Sequence, residues 1–90
     1  MSERYTIRIT SRAAHDLERL PEKTATACVE FIFGSLADNP LRVGKPLRGE
    51  LTGLHSAHRG DYRVVYPVAD DRRGVEIVHI GRRSDVYRRA

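Results

Sequence analysis

The spacing of apolar residues changes period along the chain, and each change marks an element. Tyr5, Ile7 and Ile9 alternate with Thr6, Arg8 and Thr10, the two-residue period of a strand with one buried face. From Ala13 the spacing becomes helical, with Ala13, Ala14, Leu17 and Leu20 on one stripe and Asp16, Glu18 and Arg19 expected outside. Thr10 or Ser11 can cap this helix, because a hydroxyl there accepts an otherwise orphaned backbone N–H. Pro21 fits the start of a helix but not its interior, so it predicts a break and a second helix. That helix is expected to bury Ala25, Cys28, Val29, Ile32, Phe33 and Leu36 and to stop at Asn39-Pro40.

The period of two returns in GLHSAHRGDYRVVYPV, residues 53–68, read as two strands joined at Arg59-Gly60-Asp61. Tyr62, Val64, Tyr66 and Val68 then share a face that wants a core, with the tyrosine hydroxyls reaching its edge, while Arg63, Val65 and Pro67 share the other. Residues 40–53 predict a basic loop that presents Arg42, Lys45 and Arg48 and is anchored by Leu47 and Leu51. Residues 69–74 form a polar turn, Val75–Ile80 reads as one inner strand, and residues 81–89 as a short polar tail. The expected fold is α+β in the order β-α-α-β-β-β: a small antiparallel-rich sheet with an N-terminal helical hairpin on one face and an open basic face. Residues 1–90 make one domain.

Charge sharpens this outline. The formal net charge is +4, but residues 1–41 carry −1 and residues 42–90 carry +5, so the positive field belongs to the half that holds the hairpin. Only Lys23 and Lys45 are lysines, and the remaining cations are arginines, whose planar forks suit bidentate phosphate contacts. A single cysteine, Cys28, rules out an internal disulfide and lies on the apolar stripe, where it reads as a small buried hydrophobe. With no secretory segment after Met1 and no apolar run of membrane-spanning length, the chain is expected in the cytoplasm and off the membrane.

Candidate chemistry concentrates on the hairpin. Arg63 lies mid-strand on the face without a core, where a cation calls for solvent or an anion. His55 and His58 are spaced so that a strand sends their rings to opposite faces, and no cysteine or carboxylate completes a ligand set, so neither a metal nor any cofactor is expected. His79 reads as a hydrogen-bonded inner histidine and His15 as a surface residue. Ser84, His79 and Asp85 lack the turn a serine nucleophile needs. The glycines of residues 40–53 lack the flanking strand and helix of a phosphate cradle.

The helical hairpin, the stretch KPLRGELTGLHSAHRGDYRVVYPV and the ending HIGRRSDVYRR together resemble the RelE/ParE superfamily of bacterial toxins, and within it the RelE branch, from Tyr5 to Arg89. The resemblance implies a metal-independent endoribonuclease that cleaves mRNA in the ribosomal A site by attack of the ribose 2′-hydroxyl. It also implies a cognate antitoxin that silences the toxin, in a complex that binds operator DNA. On the matching positions, Arg63 and Arg83 would stabilise the transition state and Tyr87 would stack on a base, orient the ribose or exchange a proton. Arg82 competes with Arg83 for the second arginine. Some RelE toxins carry lysines where this chain has His55 and His58; His58 is the candidate acid or base, and the identity of the general base stays open. Arg42, Lys45, Arg48, His55, Arg59, Arg82 and Arg88 would contact RNA or the ribosome. The alternatives are a ParE-like inhibitor of DNA gyrase without nuclease chemistry, and a basic nucleic-acid-binding module.

Overall fold

The computed structural model describes residues 4–82, so Arg83, Tyr87 and Arg88 lie outside the described residues. β1 (Thr6–Ile9) leads into α1 (Ser11–Glu18) and α2 (Glu22–Phe31). Thr10 joins the first two elements: its Oγ1 accepts from Ala13 N at 3.2 Å as the helix cap and donates to the Ile77 carbonyl at 2.8 Å. Pro21 stands before the first residue of α2, and the Pro21 carbonyl accepts from Ala25 N at 2.9 Å.

The helix does not stop cleanly after Phe31. A π-type turn over Ile32–Leu36 follows, and the buried side chains run Cys28, Phe31, Ile32 and Leu36. Val29 and Phe33, expected on the buried stripe, lie beside it at 36% and 47% exposure, and Phe31 takes the inner place. Asn39 then caps α3 (Pro40–Val43) by accepting from Arg42 N at 3.2 Å, with Pro40 in the first turn where its missing N–H costs nothing. The expected basic loop thus contains a helix, and also an edge strand, β2 (Lys45–Pro46), that pairs with β3 (His55–Arg59).

β3, β4 (Tyr62–Tyr66) and the short β5 (Val68–Ala69) follow in turn. The apolar run Val75–Ile80 is not one strand but two, β6 (Gly74–Ile77) and β7 (His79–Arg82). β6 lies between β1, to which it is parallel, and β5, to which it is antiparallel, while β7 completes the antiparallel order β2-β3-β4-β7. The break falls at Val78, whose N–H donates to the Val65 carbonyl at 2.9 Å as the chain crosses from one sheet to the other. The architecture is the expected α+β class with an antiparallel-rich sheet and a helical hairpin, to which the structure adds the parallel pair and the split.

The core gathers Tyr5, Ala13, Cys28, Ile32 and Leu36 from the β1 and helical side with Ala57, Tyr62, Val64, Tyr66, Val75, Ile77 and Ile80 from the strands. Burial raises the Cys28 thiol to about 11, with the Tyr62 hydroxyl beside it partly offsetting the rise. Tyr62 itself is raised to about 12, by burial first and then by the thiol, against a lowering by Arg59. Tyr66 donates to the Pro40 carbonyl at 2.7 Å, which ties α3 to the sheet. A Cβ at Gly44 would overlap that tyrosine hydroxyl, so the close approach requires glycine.

Asp16, expected on the outer side of α1, faces inward instead. One carboxylate oxygen meets His79 Nδ1 at 2.7 Å and accepts from Ile80 N at 3.1 Å. α1 thereby covers part of the outer edge of β7, where an unpaired N–H would otherwise face solvent.

Candidate functional site

Arg63 lies on β4 directly opposite His58 on β3 and Gly81 on β7. Cross-strand partners share a face with Cβ atoms roughly 5 Å apart, so the imidazole and the guanidinium start as neighbours. One step along, Ser56 pairs with Val65 on that same face, and Lys45 on the edge strand pairs with Ser56. The face therefore collects Lys45, Ser56, His58 and Arg63 from β2, β3 and β4.

This arrangement follows from the turn. Gly60 has a φ of 61°, a left-handed conformation at the tip of the hairpin, and Arg59 pairs with Tyr62 just beside it. Counting outward from that pair places His58 across from Arg63. The face is less open than the alternation alone predicts. Val65 is 5% exposed and Arg63 is half-buried. Arg63 Nη1 donates to Ser56 Oγ at 3.5 Å, and Ser56 is 7% exposed, so a buried hydroxyl helps to orient the cation. His58 and Lys45 remain exposed.

Other predicted site residues fall elsewhere. His55 pairs with Tyr66, and its ring stacks on that tyrosine with centroids 5.9 Å apart, which puts it on the core side of the sheet. Arg59 and Arg82 flank Tyr62 on the same side, away from Arg63, so Arg82 does not share a face with the guanidinium it was expected to assist. Arg42 on α3 and Arg48 at the approach to a 3-10 turn over Gly49–Leu51 are both exposed. Arg83, Tyr87 and Arg88 lie outside the described residues. Ser56 was missed from the sequence, although its place two residues before His58 puts it on that histidine's face. Among the described residues, no group of three or more His, Cys, Asp or Glu side chains is placed to hold a metal ion. Nor is any helix among them long and apolar enough to cross a membrane.

What this face can do chemically is bind an anion and move a proton next to it. Arg63 and Lys45 provide positive charge, and the His58 ring can take up or release a proton.

Over residues 7–87 the chain matches the family described as ParE toxin of type II toxin-antitoxin system, parDE. It is 64% identical over 84 residues to Toxin RelE of Mycobacterium tuberculosis (strain ATCC 25618 / H37Rv), across 93% of this chain and 87% of that protein. Toxin RelG of the same strain is 51% identical over 85 residues, across 94% of this chain and 98% of that protein. In the crystal structure of the toxin–antitoxin complex RelBE2 from Mycobacterium tuberculosis, one chain matches this fold with a TM-score of 0.87 at 48% identity, covering 90% of this chain and 100% of that one. This chain belongs to the ParE toxin family of type II toxin–antitoxin systems, alongside relatives that bear the name RelE.

Proposed function

We propose that this toxin is an endoribonuclease that cuts mRNA on the translating ribosome through the face built by His58 and Arg63. The observation that carries the reading is their register: an exposed histidine directly opposite a half-buried arginine, on the face away from the core. In the proposed reaction His58 takes the proton from a ribose 2′-hydroxyl. The oxygen attacks the adjacent phosphorus, the P–O5′ bond breaks, and the leaving 5′-oxygen takes a proton from water while His58 returns its own to solvent. The products are a 2′,3′-cyclic phosphate and a 5′-hydroxyl. Arg63, oriented by Ser56, stabilises the charge that builds on the phosphorane, and Lys45 adds positive charge at the strand edge. This set draws base and cations from side chains and assigns no step to a metal. Arg83 and Tyr87 are proposed to complete the site from the C-terminal residues, on the strength of the family resemblance. The toxin–antitoxin complexes among its relatives support an antitoxin partner, and that partner is proposed to silence the toxin by covering this face.

A second reading follows from the ParE name of the matching family: a toxin that inhibits DNA gyrase without cutting RNA. An inhibitor of that kind has no use for a histidine paired with an arginine. Primer extension on a reporter mRNA, with and without ribosomes, separates the two. In-phase cuts that appear only during translation are expected; intact mRNA together with blocked gyrase supercoiling would transfer the assignment to the second reading.

A further inference from the structure

β7 brings a second histidine onto the face that carries Arg63. Register sets Lys45, Ser56, Val65 and His79 in one row across β2, β3, β4 and β7, next to the row of His58, Arg63 and Gly81. Ile80, between His79 and Gly81, is buried in the core, so both of its neighbours face the other way. His79 is thus a diagonal neighbour of Arg63, at a Cβ spacing of roughly 7–8 Å, and Gly81, directly opposite Arg63, puts no side chain beside the guanidinium. The ring is held in place. Its Nδ1 meets Asp16 Oδ2 at 2.7 Å, and the same oxygen accepts from Ile80 N at 3.1 Å. A carboxylate only accepts, so the proton of that bond sits on Nδ1 and proton exchange is left to Nε2. Nε2 lies on the far side of the ring from Asp16 and has no partner among the described residues. The His79 side chain is 24% exposed against 14% for Asp16, so the ring can be reached while the carboxylate behind it is sheltered.

We propose that His79, oriented by Asp16, is the acid that protonates the leaving 5′-oxygen. The role rests on the proposed reading of this face as a ribonuclease site. In-line displacement puts the attacking 2′-oxygen and the leaving 5′-oxygen on opposite sides of the phosphorus. β3 and β7 flank β4, so a phosphate seated on Arg63 has His58 toward one of those oxygens and His79 toward the other. The backbones of β3 and β7 stand two strand spacings apart, roughly 10 Å, a gap that two imidazoles and one phosphate fill. His55, the other histidine of this sheet, stacks on Tyr66 on the core side and takes no part. His58 takes the 2′-hydroxyl proton, the O2′–P bond forms, the P–O5′ bond breaks, and the Nε2 proton of the His79 imidazolium passes to O5′. His79 then reloads from water as His58 releases its proton to solvent. The proton that the leaving oxygen draws from water therefore passes through the His79 ring.

The test is single-turnover cleavage, on translating ribosomes, of two mRNAs that differ at one atom. One has an ordinary phosphodiester at the cut site; in the other the leaving 5′-oxygen is replaced by sulfur, which departs without being protonated. His79→Ala is expected to slow cleavage of the ordinary mRNA roughly 10²-fold or more, yet to cut the sulfur-linked mRNA within a few-fold of wild type. His58→Ala should lose rate on both. Asp16→Asn keeps an acceptor for the Ile80 N–H but no longer dictates the tautomer, and should show a smaller loss than His79→Ala, on the ordinary mRNA alone. Misfolding would slow both mRNAs alike and cannot imitate a loss confined to one. Equal losses for His79→Ala on the two mRNAs, or an undiminished rate on the ordinary one, would overturn the role of His79 and leave the nuclease reading in place. If the wild type leaves both mRNAs intact, the nuclease reading falls and the role of His79 with it.

Discussion

The two faces of β4 differ by one residue in sequence and by almost everything in chemistry. Tyr62, Val64 and Tyr66 point into the core, and Val64 and Tyr66 are fully buried there. Arg63, one position along, shares its face with His58, Ser56 and Lys45 and is the centre of the proposed reaction. The alternation of a strand lets five residues serve stability and the proposed catalysis at once, with no loop and no insertion. The cost is that any slip of register by one residue would exchange the two roles.

Moving the cation across the sheet should have the largest effect. Val64→Arg places an unpaired charge where the side chain is 0% exposed, at a cost of about 3–5 kcal/mol, and should leave the protein largely unfolded in a thermal melt. Arg63→Val, one residue away, should melt at the wild-type temperature or above it. Equal destabilisation by the two changes would remove the distinction between the faces. Next comes the proton. His58→Ala should lower single-turnover cleavage roughly 10²–10⁴-fold, whereas His55→Ala, on the Tyr66 side, should leave the chemical step within a few-fold of wild type. A larger loss at His55 than at His58 would mean that the face has been assigned wrongly.

Smaller effects sharpen the supports. Tyr66→Phe removes the hydrogen bond to the Pro40 carbonyl, which keeps a second donor in Gly44 N at 3.3 Å, and should cost about 0.5–1.5 kcal/mol in denaturant unfolding. The smallest expected change comes with alkali. Folding raises the Cys28 thiol from 9.0 to about 11 and Tyr62 from 10.0 to about 12, so the fold favours the neutral forms of both. Their contribution is complete below the unfolded values and declines as pH rises through the folded ones. Stability measured by denaturant should therefore fall progressively between pH 9 and 12, and a flat profile there would show that neither group is held neutral by the core.

Much of this was legible in the sequence, because the signals are local. The period of two in Tyr62–Tyr66 and the turn at Gly60 fix both the buried face and the pairing of His58 with Arg63. Pro21 and Asn39-Pro40 punctuate the helices as proline chemistry requires. What stayed hidden depends on partners far along the chain. Val75–Ile80 is a run of good strand formers throughout, and only pairing with β1 on one side and β4 on the other divides it at Val78. β2 has two residues, one of them proline, too short to show a period. Asp16 looks like a surface residue of α1 until His79, 63 residues away, arrives beside it. Of the proposed site, Arg63 and His58 were visible in the alternation. The separation of Arg59 and Arg82 from them follows from register, which the sequence implies only once the strands are paired.

The most direct test of the central claim is the cleavage rate of one translated mRNA by the wild type and by Arg63→Ala, with the chemistry of the new ends determined. Ends bearing a 2′,3′-cyclic phosphate and a 5′-hydroxyl are expected, with a rate for the variant lower by roughly 10²–10³ at an unchanged melting temperature. Wild-type cleavage by the folded variant, or products ending in a 5′-phosphate, would contradict that claim.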